Sequence, residues 1–76
     1  LVDAEKEKCS LEGIELANLT HEALDDIFLN RRVEATEKLN KAEIIADNSE
    51  CMSRALKDRI RGVTRVLRME IATGRL

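Results

Sequence analysis

No stretch of this chain alternates apolar and polar residues over the length of a strand, and no proline interrupts it. Ala, Leu, Glu, Lys and Arg, which lose little on entering a helix, dominate the sequence. Glycine occurs only at Gly13, Gly62 and Gly74, so nothing reads as a linker. The pattern predicts an all-α domain over 1–76: a small helical bundle of three helices, or one long kinked helical hairpin. With 43% apolar and 37% charged residues, the chain is too apolar for a disordered tail. No run approaches the roughly 18 apolar residues of a spanning helix, so no membrane role is expected. The chain begins Leu1–Val2–Asp3, without an initiator Met or an apolar leader, and is expected to be a fragment of a longer chain.

Helix limits follow from caps and phase. Asp47 with Glu50 resembles a capping box and Ser49 is another N-cap type, so a last helix is expected from about Ser49 to Thr73, with Gly74 as its C-cap. Upstream, Thr20 to Ala46 reads as a second long helix. At 100° per residue, Leu11 and Ile14 share one side while Leu16 and Leu19 fall on another, which predicts a break near Asn18–Leu19–Thr20.

A chain this short hides only about 60% of the surface its unfolded form exposes, so it needs reinforcement. Cys9 and Cys51 are the only cysteines. One bridge between them is possible, but two reduced, buried thiols in a cytoplasmic protein are the expectation. No spacing of Cys or His suggests a metal site, and no cofactor is expected. Leu24, Ile27, Phe28 and Leu29 spread around most of their helix, and such a helix is normally covered on several sides. The expected cover is a second copy, giving a homodimer that completes a bundle.

Charge is distributed unevenly. The net charge is −2, but residues 1–26 carry −6, residues 27–51 carry −1 and residues 52–76 carry +5. On the last helix Arg54, Lys57, Arg61, Arg65 and Arg68 fall within about 80° of arc. Met52, Leu56, Ile60, Val63, Leu67 and Ile71 line the other side in a near-heptad rhythm. Three uses of the cationic stripe are expected: a solvated face paired partly with the acidic amino-terminal helix of its own or a sister chain, tracking the phosphates of a nucleic-acid duplex, or docking on an acidic protein partner or membrane surface. Tyr and Trp are absent and Phe28 reads as internal, which disfavours stacking on single strands. Arg59 and Glu70 project near the apolar seam, where they either snorkel or set a partner's register.

His21, the only histidine, is expected to pack beside Leu24 and Phe28. The stretch Leu19–Thr20–His21–Glu22 is similar to the phosphoacceptor helix of histidine-kinase dimerisation domains, which would imply a phosphorylatable His21. Asp26 stands where those domains carry proline. Ile27–Phe28–Leu29–Asn30–Arg31–Arg32, with Lys38 and Lys41, faintly resembles helical chorismate mutases, with a different lysine spacing and the acids Glu34 and Glu37 intervening. Phosphate loops, G-x-S-x-G and H-E-x-x-H are absent.

The sequence therefore predicts a non-enzymatic helical interaction or dimerisation module, regulatory or adaptor in role, with no catalytic residues. Leu24, Ile27, Phe28, Leu56, Ile60, Val63 and Leu67 are expected to form the assembly interface. Arg54, Lys57, Arg61, Arg65 and Arg68 are expected to form a basic recognition face. A dimeric duplex binder is the alternative.

Overall fold

A computed structural model describes residues 2–74, with side chains described from residue 6 onward. Three helices follow one another: α1 (Val2–Phe28), α2 (Arg32–Asn48) and α3 (Arg54–Thr73). The domain is all-α, as its composition dictates. α2 runs back along α1 and α3 runs back along α2, while α1 and α3 scarcely touch. The molecule measures 46 × 22 × 12 Å between Cα atoms, with a radius of gyration of 13.4 Å. A globule of this length would have about 11 Å, so the helices form an open arrangement rather than a closed bundle.

α2 is the middle element because its inward seam is small. Ala35, Leu39, Ala42, Ala46 and then Ser49 recur at alternating steps of four and three, and all are buried. Alanines let neighbouring helices approach closely, and Leu39, only 1% exposed, fills the space among them. α1 answers with Leu16, Leu19, Ala23 and Asp26, again at heptad steps. α3 contributes Ile71 to the same cluster, with Ile27 and Leu67 packed against its edge.

Three expected boundaries move. α1 is continuous through Asn18–Leu19–Thr20: the Thr20 hydroxyl donates to the Leu16 carbonyl one turn back, inside an unbroken helix. The two apolar phases read as a break are two faces of one helix, Leu16 and Leu19 toward α2 and Leu11 and Ile14 outward. The real break is at Asn30, whose left-handed backbone (φ 62°) suits asparagine. α3 begins at Arg54, not Ser49. Ser53 is its N-cap and accepts the Leu56 N–H, whereas buried Ser49 ends α2 and accepts the Cys51 N–H in the turn. Gly74 caps α3 in the left-handed region as expected.

The expectation of reduced thiols is also corrected. Cys9 and Cys51 form a disulfide, with Cα atoms 5.6 Å apart. Cys9 occupies the heptad position on α1 that faces the α2–α3 turn, so antiparallel packing delivers Cys51 to it. The bridge closes a loop of 42 residues, for which chain entropy gives about 4 kcal/mol of stabilisation as an upper figure.

Two stability outcomes follow. Leu39→Ala should cost about 3 kcal/mol in urea unfolding, because the alanines around it cannot collapse into the cavity. Replacing both Cys9 and Cys51 by Ser should lower stability by up to about 4 kcal/mol, and adding reductant to the wild type should reproduce that loss.

Candidate functional site

The space between α1 and α3 is an open apolar groove. Leu16, Ala17, Thr20, His21 and Leu24 line its α1 wall, and Ile60, Val63 and Leu67 its α3 wall, over a floor of Leu39. Of the expected interface residues, Leu24, Ile60, Val63 and Leu67 thus meet along one groove. Leu24 and Val63 remain about half exposed and Leu56 lies just beyond them, also exposed. Ile27 is mostly taken up by the intramolecular core.

Phe28 corrects an expectation. It is 90% exposed at the end of α1, because the turn at Asn30 leaves no element to cover that side. His21 is corrected likewise: its side chain is 80% exposed and lies 3.8 Å from Asp25, one turn on. Next to it in sequence, the Thr20 hydroxyl donates to the Leu16 carbonyl, and Cys9 is held in the disulfide.

Sequence reasoning missed that each outer helix carries a second heptad seam. On α1, Ile14, Ala17, His21, Leu24 and Phe28 recur at steps of three and four, and all are exposed. On α3, Leu56, Arg59, Val63 and Val66 do the same and are exposed, with Glu70 and Thr73 next in the series. Extending the seam search to both flanks of each helix would have found them.

The cationic stripe divides in two. Arg61 bonds Asp47 at 2.6 Å and approaches Glu43 and Asp58, while Arg68 bonds Glu43 at 2.6 Å and donates to Asn40. Lys57 donates to the Asp47 carbonyl. Among the described residues, three of the five stripe residues therefore engage α2, and none pairs with the acidic amino-terminal helix of its own chain. Arg54 and Arg65 lie at the other edge of the same stripe, exposed and without an ion pair among the described residues. The signal for this pairing was present in Glu43 and Asp47, four apart on one face of α2.

Buried Asp26 sits at a core position of α1 and is held by Lys38 of α2 at 2.5 Å, with Arg31 4.0 Å away. The hydrogen bond to Asp26 raises the Lys38 ammonium above its ordinary value of 10.5, as Asp47 raises the Arg61 guanidinium. Among the described residues, no group of Cys, His, Asp and Glu could hold a metal ion, and no helix is long and apolar enough to cross a membrane. Comparison with protein-family models, curated proteins and solved structures gives no match to this chain.

Because Lys38 binds its proton more tightly when folded, its contribution is complete below pH 10.5 and fades as pH rises through the raised value. Urea midpoints should hold up to about pH 10.5 and fall above it, and Lys38→Met should flatten that fall while lowering stability at neutral pH. Reversing Arg61 and Arg68 to Glu should place like charges against Glu43 and Asp47 and lower the urea midpoint at neutral pH.

Proposed function

We propose that the chain is a non-enzymatic helical module that dimerises through the open α1–α3 face and serves an adaptor or regulatory role. The observation that carries this reading is the apolar face itself. Leu24, Leu56, Val63 and Phe28 stay exposed on outer helices that do not cover one another. Contiguous exposed apolar surface of this kind marks association sites. The broad face, 46 by 22 Å, has room for the roughly 800 Å² per partner of a stable interface.

The duplex-binding alternative has less support. Three of its five basic residues already engage α2, leaving Arg54 and Arg65 as the unengaged pair. Counterion release scales with the number of phosphates contacted, so two free cations give a weak dependence on salt. The bridged cysteines also alter the expected setting. A cytoplasmic location rested on reduced thiols, whereas a Cys9–Cys51 bridge is maintained where conditions are oxidising.

Sedimentation at micromolar concentration should give twice the 8.6 kDa chain mass. Leu24→Asp with Val63→Asp should convert it to a monomer with unchanged helical circular dichroism. An 8.6 kDa wild type would overturn the reading.

A further inference from the structure

The two ends of the α1–α2 contact are held by different means. At the Asn30 end, Lys38 pairs with Glu22 and Asp26, and Leu39 is enclosed beside Ala23 and Ala35. At the other end the buried side chains of α2 are Ala42, Ala46 and Ser49, each of which hides little area. Among the described residues no ion pair joins α1 to α2 there. The Cys9–Cys51 bridge fastens that end.

Two features of α1 beside the bridge oppose the closed arrangement. Glu12, three residues from Cys9, lines a recess with Cys9, Asn48, Glu50 and Cys51. Its Oε1 is buried without a hydrogen-bond partner, the one such side-chain atom among the described residues. A carboxylate oxygen so placed gives up its hydration and gains no bond in exchange. Next to it, inside the helix, stands Gly13, with nothing within 4 Å of where a Cβ would sit. Packing therefore does not require glycine at this position, and glycine is the poorest helix former after proline.

We infer that the bridge is a redox latch: when a dithiol reduces it, residues 2–12 of α1 part from α2, fray up to Gly13 and return the Glu12 carboxylate to water. With the covalent link gone, the small side chains of α2 have little buried area to set against the cost of Glu12. A segment of this length does not hold a helix by itself. The remainder of α1 keeps its packing on Leu39 and its ion pairs with Lys38, so the change is confined to one end. Leu24 stays in place, and the latch stands independently of dimerisation.

Cys51 is exposed and Cys9 partly so, which opens the bridge to attack. One thiolate of the dithiol attacks the Cys51 sulfur, the S–S bond breaks, and Cys9 leaves as a thiolate that takes up a proton. The second thiol of the reductant then displaces Cys51 from the mixed disulfide. The dithiol ends as a disulfide and the chain as two thiols.

NMR Cα shifts with and without dithiothreitol test the latch. On reduction, residues 6–12 should lose about half or more of their helical shift, while residues 20–27, α2 and α3 keep theirs. Glu12→Leu, which removes the unpartnered oxygen, should keep residues 6–12 helical after reduction. Unchanged shifts at 6–12 in the reduced wild type would overturn the latch. Loss of helix throughout all three helices would overturn it too, since that is loss of the fold and not release of one end. A reduced Glu12→Leu variant that frays like the wild type would overturn the part assigned to Glu12.

Discussion

The structure depends on how little apolar volume α2 presents to its neighbours. Four of the positions along its buried seam are Ala35, Ala42, Ala46 and Ser49, and among the described residues Leu39 is the one large side chain fully enclosed. Small residues permit close helix approach, but each hides little area, and area removed from water is what stabilises a fold. Reinforcement therefore comes from elsewhere. The disulfide ties the start of α1 to the α2–α3 turn, and ion pairs tie α2 to each flank.

Those ion pairs also settle which face of each helix points inward. Asp26 occupies a core position of α1 and is acceptable there because Lys38 reaches it from α2. Glu43, mostly buried, is held by Arg68 and approached by Arg61, so α3 must present its cationic flank to α2. Turning that flank inward rotates the centre of the apolar stripe of α3 away from α2. Leu56, Val63 and Val66 are exposed as a direct consequence. An electrostatic requirement inside the fold thus creates an apolar surface outside it.

The proposed dimer follows from the same geometry. Two outer helices that lean on a narrow middle one leave a groove between them, and their leftover seams share one face.

The sequence by itself determined the helical class, the α3 C-cap at Gly74, the amphipathic character of α3 and the separation of charge between the chain's ends. These are local properties, set by propensity, periodicity and composition. It misplaced the first break because two apolar phases on one helix look the same as two helices. It also placed Phe28 inside, since apolarity does not say whether a neighbour is present to cover it. Tertiary structure alone decided that Cys51 reaches Cys9, that the basic stripe meets Glu43 and Asp47 rather than α1, and that Leu24 and Val63 share a groove. Each of those depends on which helix faces come together across a turn. That choice is made by packing and ion pairing between distant segments; the spacing of Glu43 and Asp47 marks an acidic face on α2 but not which helix meets it.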